Sequence, residues 1–180
     1  MKAKKLLLVV DYQIDFVNGA LGFPGAEALD GAIAAKIAAY HASHNDVAFT
    51  MDTHTEDYLN TQEGRKLPVP HCILRSPGWA LYGETAKAQA SADKVIQKPA
   101  FPSFTLGSWL QEQGYDQVEL VGLVSYMCVL SNAVIVKAAL PEAEIVIDAA
   151  CTAGPDPALH NKALDLMEAL QMTVANRKRS

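Results

Sequence analysis

The sequence predicts an α/β fold, namely a doubly wound, mostly parallel sheet of about six strands with helices on both faces. Short apolar runs alternate with amphipathic stretches along the chain, which is the pattern of repeated strand–helix units. The chain has 180 residues, of which 50% are hydrophobic and 19% charged, so one domain with a substantial core is expected. We therefore expect a single domain over residues 1–180.

Six apolar runs are expected to form the strands. Each is short and bounded by polar or turn-forming residues, as strands in a buried sheet are. In chain order they are Leu6–Val10, Val47–Met51, Lys94–Gln97, Val118–Val124, Glu144–Ile147 and Met172–Ala175.

Apolar residues at spacings of three and four predict the helices between these strands. The predicted helices are Ala32–Tyr40 with Asp30 as N-cap, Leu106–Gln113 before Gly114, one after Cys128, and one from Pro157 with Asp156 as N-cap. The inner stripe of the last helix is predicted to be Leu159, Ala163, Leu166 and Leu170. Residues 52–89 are rich in proline and glycine and only weakly periodic, and loops of that length are often functional.

Charge, apolar runs and cysteine count exclude several classes of protein. The net charge is −5, and the basic cluster Arg177–Arg179 lies only at the tail, so nucleic acid is not expected as a partner. The first apolar run, Leu6–Val10, is too short for a signal peptide or a membrane span. Three cysteines without paired spacing favour a reduced, cytoplasmic protein.

Polar side chains follow the ends of five predicted strands. In strand order they are Asp11, Asp52 with His54, Lys98, Cys128 and Asp148. The carboxyl ends of parallel strands share one edge of the sheet, and ligands bind there, near a switch in strand order. We therefore expect one site gathered from several strand ends.

Cys128 is the candidate nucleophile of that site. Its predicted place at a helix N-terminus would lower the pKa of the thiol and favour a thiolate. Asp11 could accept the thiol proton, and Lys98 could hold the carboxylate ionised. The alternative for each residue is structural, with Cys128 as inert packing, Lys98 as a solvated strand end and Asp11 as a loop cap.

A second group of residues has the chemistry of a metal site. Asp52 and His54 project to the same side of an extended segment, and His71 can close the set from the following loop. Two imidazoles and a carboxylate suit zinc, or iron or manganese, and Glu63 is a candidate fourth ligand. The alternative is a pair of loop histidines hydrogen-bonded to carboxylates. Phe16 is either a core residue or an aromatic wall for a planar substrate.

Five fragments in order resemble the isochorismatase-like cysteine hydrolase superfamily, which contains the nicotinamidases. Each fragment is of modest specificity alone, but together they cover nearly the whole chain. They are VVDYQIDF (9–16) for the motif D-x-Q-x-D-F, MDTHTEDY (51–58) for D-x-H, LPVPHCILRSPGW (67–79) for P-x-H-C, QKPAFPSF (97–104) for the lysine segment, and GLVSYMCV (122–129) for G-[VIL]-x-[TS]-D-x-C-V.

The resemblance implies an activity and a role for each matched residue. It implies hydrolysis of a small amide with release of ammonia, as from nicotinamide to nicotinate, and assembly as a homo-oligomer. The implied catalytic residues are Asp11, Lys98 and Cys128, and the implied oxyanion hole is the N–H groups of Val124 and Cys128 beside a cis peptide at Leu123–Val124. The implied divalent metal, with zinc preferred, would be bound by Asp52, His54, His71 and, as in some nicotinamidases, Glu63.

The sequence departs from the nicotinamidase pattern around the expected pocket. Tyr126, which we assign to the pocket with Phe16, stands where the motif usually has aspartate. Pro68 stands where nicotinamidases tend to place an aromatic residue, and Arg75 replaces a glycine. Another amide or ureido substrate therefore stays open, as does a non-catalytic small-molecule or metal-binding module. A vinyl-ether hydrolase is disfavoured because that reaction needs no cysteine nucleophile.

Overall fold

The computed structural model describes residues 3–178 as one six-stranded parallel sheet flanked by helices. Residues 1, 2, 179 and 180 of the predicted domain, including Arg179 of the basic tail, lie outside the described residues. The strands are β1 (Lys5–Val10), β2 (Asp46–Asp52), β3 (Lys94–Lys98), β4 (Gln117–Leu123), β5 (Glu144–Ala153) and β6 (Thr173–Ala175).

Seven α-helices, three 3-10 turns and one π-helical turn connect the strands in this part of the chain. The α-helices are α1 (Ile14–Val17), α2 (Asp30–Ala42), α3 (Gln62–Lys66), α4 (Gly83–Ala88), α5 (Phe104–Gln113), α6 (Leu130–Ala139) and α7 (Pro157–Ala169). The turns are 3-10 helices at Glu27–Leu29, Tyr58–Asn60 and Pro77–Trp79 and a π-helical turn at Ser125–Val129.

The strand order β3-β2-β1-β4-β5-β6 confirms the predicted doubly wound sheet. All neighbouring strands are parallel, and the chain reverses its direction of travel across the sheet between β1 and β4. In folds of this type ligands bind where the strand order switches, at the carboxyl ends of the strands. Here that position lies between the end of β1, before Asp11, and the end of β4, before Val124.

The two faces of the sheet are buried by different helices, as the alternation in β1 illustrates. Leu6, Leu8 and Val10 pack in a core with residues of α5, α6 and α7. Leu7 and Val9 point to the opposite face and pack with residues of α1 and α2. Successive strand side chains face opposite sides of a sheet, so a near-continuous apolar strand is the expected sequence for a sheet that is covered twice.

Two local predictions about helices are wrong. Asp30 begins α2 instead of capping it, because a 3-10 turn precedes the helix, and its carboxylate accepts the N–H groups of Glu84 and Thr85 in α4. In α7 the predicted stripe residues Leu159, Leu166 and Leu170 are exposed. The helix is rotated so that its buried residues are Ala163, Leu164 and Met167.

The six predicted strands are present with shifted bounds, since β5 is longer than predicted and β6 begins at Thr173 instead of Met172. Asp156 caps α7 by accepting the N–H groups of Ala158 and Leu159, as predicted. The three cysteines, Cys72, Cys128 and Cys151, are free and buried. Over residues 3–178, no helix is both long enough and apolar enough to cross a membrane.

Candidate active site

Three strand ends bring Asp11, Lys98 and Cys128 together in the interior. Asp11 directly follows β1 with a left-handed backbone (φ 45°), and its Oδ1 accepts a hydrogen bond of 2.7 Å from Thr50 Oγ1 of β2. Lys98 is the last residue of β3, and its Nζ lies 2.6 Å from Asp11 Oδ2 and 3.6 Å from Cys128 Sγ. These three side chains therefore form one contact group at the switch point of the sheet.

Cys128 lies inside the π-helical turn that joins β4 to α6, and not at the first turn of a helix as predicted. Gly122 makes the approach to this turn possible. Its φ is 108°, and an added Cβ would lie 2.0 Å from the carbonyl oxygen of Val10. The peptide between Leu123 and Val124 is cis, where the sequence resemblance placed it. The backbone thus turns sharply just before it presents Cys128 to Asp11 and Lys98.

Burial controls the protonation of this group. It raises the pKa of the Cys128 thiol well above the ordinary value, the charge of Lys98 offsets this only in part, and the negative charges of Asp11 and Asp52 add to the rise. The prediction that this pKa is lowered is therefore wrong, because burial disfavours the charged thiolate. Burial also raises the pKa of Asp11, against the opposing charge of Lys98.

Lys98 carries the positive charge of the group. Burial would lower its pKa, but the ion pair with Asp11, followed by the influence of Cys128 and Asp52, raises it. Its Nζ also donates to Asp52 Oδ1 at 3.3 Å and to the carbonyl of Ala100 at 3.1 Å. Lys98 therefore links the cysteine group to the carboxylate of the second predicted cluster.

Asp52, His54 and His71 form that second cluster, and their ligand atoms all lie within 4.8 Å of one another. Asp52 Oδ2 is 3.0 Å from His54 Nε2 and 3.4 Å from His71 Nε2. His71 Nδ1 lies 2.8 Å from the carbonyl of Val69, which can only accept, so Nδ1 carries a proton and Nε2 is the nitrogen that faces Asp52. The three residues have the donor types that a metal requires.

Glu63 tests whether a cation fits this cluster. Its Oε1 is buried, makes no hydrogen bond among the described residues and lies 3.8 Å from the Nε2 atoms of both His54 and His71. Helix α3 can approach only because residue 64 is glycine, since an added Cβ would lie 2.1 Å from the carbonyl oxygen of Tyr58. A buried carboxylate oxygen without a donor, aimed at two imidazoles, fits a metal ligand.

Two residues that the sequence analysis did not select hold the segments carrying these ligands. The Gln13 amide donates to the carbonyl of Asp52 at 3.0 Å and accepts from the Asp52 N–H at 2.8 Å. The Asp15 carboxylate accepts the N–H of Cys72 at 2.7 Å, next to His71. Both residues belong to the fragment 9–16, so the sequence motif marks them as candidates. The backbone groups that they bind lie far away in the sequence and could not be predicted from that motif.

A cavity of about 170 Å³ opens onto Cys128. Phe16 lines it, as predicted, and packs edge-on against the His71 ring with 5.5 Å between ring centroids. Tyr126 does not line this cavity; its ring lies over Gly154, and the neighbouring Met127 faces the cavity in its place. The further lining residues are Leu21, Leu67, His71, Phe101, Val124 and Pro155, so the only polar side chains among these are those of His71 and Cys128.

Asp148 does not join the site. β5 continues past the predicted end at Ile147 to Ala153, with an irregular register opposite β4, so Asp148 lies within the strand and not at its end. Its carboxylate pairs with Lys36 of α2 at 2.8 Å and accepts from Asn176 at 3.0 Å. The polar residues predicted at the ends of β1 to β4 therefore meet in one site, whereas Asp148 of β5 does not.

Comparison with known proteins identifies the family. The profile described as the isochorismatase domain matches residues 5–178. The chain belongs to the isochorismatase family. Within this family, it is 29% identical over 143 residues to the nicotinamidase/pyrazinamidase of Mycobacterium tuberculosis, which covers 72% of this chain and 76% of that protein.

Solved structures share the fold over nearly the whole chain. The nicotinamidase/pyrazinamidase of Bacillus subtilis is 28% identical, with a TM-score of 0.85 over 96% of this chain and 100% of that one. The pyrazinamidase of Pyrococcus horikoshii in complex with zinc is 23% identical, with a TM-score of 0.85 over 97% of this chain and 99% of that one.

Proposed function

We propose that this isochorismatase-family chain is a cysteine amidohydrolase that hydrolyses the carbon–nitrogen bond of a small amide, nicotinamide first among the candidates, and releases ammonia. The observation that carries the proposal is the buried contact group of Asp11, Lys98 and Cys128, of which Cys128 lines a small cavity. The similarity to nicotinamidases supports the substrate. The apolar lining supports an uncharged substrate over an acidic one, since nothing there would pair with a carboxylate except His71.

In the proposed first step, Asp11 acts as the base. The resting thiol of Cys128 is protonated, because its pKa is raised, and Lys98 Nζ contacts both this sulfur and the Asp11 carboxylate. As the sulfur attacks the amide carbonyl, the thiol proton moves to Asp11, a carbon–sulfur bond forms and the carbonyl electrons move to oxygen. Lys98 stabilises the negative charge that passes between these two residues.

The developing oxyanion needs donors that are already in place. We assign this role to the N–H groups of Val124, which directly precedes the π-helical turn, and Cys128, which lies inside it; both residues line the cavity. Donors of this type commonly contribute about 3 kcal/mol to lowering the barrier. The carbon–nitrogen bond then breaks, and Asp11 returns the proton to the leaving ammonia.

The second half of the reaction removes the acyl group from Cys128. Water attacks the thioester and gives one proton to Asp11, the carbon–sulfur bond breaks, and the product leaves as a carboxylic acid that releases its remaining proton to solvent. Asp11 then returns the proton to the thiolate, so the enzyme regains its starting state. The same aspartate thus serves as base and acid in both halves.

We propose that the bound metal is a divalent cation, zinc in preference to iron or manganese, held by Asp52, His54, His71 and Glu63. Two imidazoles and carboxylates are the common donor set of catalytic zinc. When bound, such a cation would orient a substrate atom and order water beside the cavity. Elemental analysis of the purified chain tests its identity, and a metal-free chain with full activity would contradict the assignment.

Ammonia release from nicotinamide tests the proposed reaction directly. Wild-type protein should release ammonia, whereas Cys128→Ala and Asp11→Asn should not above background. Release at the wild-type rate from Cys128→Ala would exclude covalent catalysis. Release from other small amides but not from nicotinamide would support the proposed reaction with a different substrate. No release from any amide or ureido compound would favour a non-catalytic binding module.

Two expectations from the family resemblance belong to the same proposal. We expect a homo-oligomer, which light scattering coupled to size-exclusion chromatography would measure, and a monomer at micromolar concentration would contradict this. We also expect the chain to work in the reducing cytoplasm, which agrees with its three free, buried cysteines.

A further inference from the structure

The turn between β4 and α6 carries the proposed oxyanion donors and Cys128, so its supports bear on the proposed reaction. Asn132 of α6 supports one side of it. Its side chain donates to the carbonyl of Cys128 at 2.8 Å and to the carbonyl of Phe101 at 2.9 Å. This ties the turn to the segment that follows Lys98.

The other support comes from the first turn of α7. His160 Nδ1 lies 3.0 Å from the hydroxyl of Ser125, which directly follows Val124. Ser125 is fully buried, and His160 is the partner of its hydroxyl over residues 3–178. The backbone N–H of His160 donates to the carbonyl of Asp156 at 2.9 Å, so the first turn of α7 fixes the backbone from which the ring reaches Ser125.

The chemistry of the pair suits a fixed contact. A buried hydroxyl without a partner costs free energy, so Ser125 gains by keeping the imidazole in place. Burial, and then the charge of Arg177, lower the pKa of His160, so the ring is neutral near pH 7. A neutral imidazole can accept the Ser125 O–H at Nδ1 and hold the hydroxyl in one orientation.

We propose that His160 is a positioning residue that, through the Ser125 hydroxyl, fixes the peptide of Val124 and the turn that presents Cys128. This inference rests on the proposed amidase function. It gives His160, which lies outside the five fragments of the family resemblance, a role that requires contact with neither substrate nor metal. The pair acts on the placement of the oxyanion donors, so its loss should lower kcat more than it changes KM.

The kinetic test uses single and paired variants with a matched control. His160→Ala and Ser125→Ala should each lower kcat by about 10- to 100-fold and leave KM within about twofold. This loss is smaller than the roughly 10²–10³-fold that follows removal of an oxyanion-hole donor, because the donors stay present and only their placement changes. The double variant should be no worse than the poorer single variant, because the two residues act as one unit. His160→Asn, whose amide can replace Nδ1, should recover most of kcat. Lys162→Ala, an exposed change on the same helix, should behave as wild type.

A measurement without turnover separates this inference from the proposed function. The ¹⁵N resonance of His160 Nδ1 should shift in Ser125→Ala, and the alkylation rate of Cys128, followed by peptide mass spectrometry, should change at least about threefold in His160→Ala but not in Lys162→Ala. Wild-type kcat in folded His160→Ala, or an unchanged resonance and alkylation rate, would overturn the inference. Absence of amidase activity in wild type, with the resonance and alkylation changes present, would overturn the proposed function alone.

Discussion

Two clusters in this chain combine a lysine, two carboxylates and a nearby cysteine, but the Lys98 cluster is buried and Lys36 of the other cluster is half-buried. Lys98 contacts Asp11 and Asp52 near Cys128, and Lys36 contacts Glu119 and Asp148 near Cys151. Burial, followed by Asp148, raises the pKa of Cys151 to about 12, and burial also raises that of Cys128. Composition alone therefore does not separate them.

The difference lies in how completely the carboxylates are satisfied. In the Lys36 cluster every carboxylate oxygen has a partner, because Tyr40 donates to Glu119 and both Asn176 and the N–H of Ala150 donate to Asp148. In the Lys98 cluster Asp11 Oδ2 has only the charge of Lys98 beside it and makes no regular hydrogen bond within residues 3–178. A fully satisfied cluster holds helix to sheet, whereas an incompletely satisfied one beside a cavity is available for chemistry.

The largest expected contrast is between the two cysteines. Cys128→Ala should lower kcat/KM for ammonia release by at least about 10⁴-fold, since removing a covalent nucleophile leaves only binding and oxyanion stabilisation. Cys151→Ala should stay within about twofold of wild type. Steady-state kinetics on both purified variants measures this difference. A comparable loss in Cys151→Ala would contradict the assignment of Cys128 as the nucleophile.

The two aspartates should differ next most strongly. Asp11→Asn should lower kcat by about 10²- to 10⁴-fold, because the amide cannot accept the thiol proton. Asp148→Asn, at equal folded concentration, should keep the wild-type kcat. Circular dichroism confirms folding in each case, and an active Asp11→Asn protein would remove the proposed base.

Zinc affinity should distinguish the histidines of the Asp52 cluster from histidines elsewhere in the chain. His71→Ala should weaken zinc binding by more than about 100-fold, since even outer partners of metal ligands are worth 10–100-fold. The matched variant His41→Ala removes a histidine that pairs with Asp93 and should bind zinc as wild type does. Competition with a chromogenic chelator measures both affinities, and equal affinities would place the metal elsewhere.

The pH profile should show which carboxylate is functional. Asp11 works as a base only when ionised, and its pKa is raised by burial. Activity is therefore lost as the pH falls through that raised value, by about tenfold per pH unit, and the acid limb of kcat/KM lies above the ordinary aspartate pKa of about 3.9. An acid limb centred at or below 3.9, in zinc-saturated enzyme, would argue against Asp11. Cys151→Ala should keep the wild-type limb.

The smallest expected effect concerns stability and is confined to the Lys36 cluster. Although burial opposes it, the hydrogen bonds from Lys36 and Asn176 lower the pKa of Asp148. Its ionised form therefore stabilises the fold above the unfolded pKa, and this contribution is lost as the pH falls towards the folded value. Asp148→Asn should lower the free energy of unfolding by about 1–3 kcal/mol at pH 7. Denaturant titrations at pH 7 and pH 3 should show a smaller difference at pH 3.

The strand ends explain how far the sequence could predict the site. Apolar runs located β1 to β4, so the residues after them, Asp11, Asp52, Lys98 and Cys128, were found without a structure. Asp148 was misplaced because an apolar run cannot reveal that β5 continues through an irregular register. The buried face of α7 was also predicted wrongly from periodicity, since Leu159 and Leu166 are exposed despite their spacing.

Residues that act through distant partners could not be predicted. Gln13 holds Asp52 through its backbone, and His160 meets Ser125 from 35 positions away, contacts that depend on the packed fold. Tyr126 was assigned to the pocket that Met127 lines instead, and the reason is local. The turn is π-helical, so helical spacing does not say whether Tyr126 or Met127 faces the cavity.

We expect that Cys128, and not its counterpart Cys151, becomes acylated during turnover. Rapid acid quenching of wild-type protein with nicotinamide, followed by peptide mass spectrometry, measures this directly. A nicotinoyl thioester should appear on the peptide containing Cys128 within the first turnover and should be absent in Cys128→Ala. Steady ammonia release with an unmodified Cys128 at every quench time would contradict it.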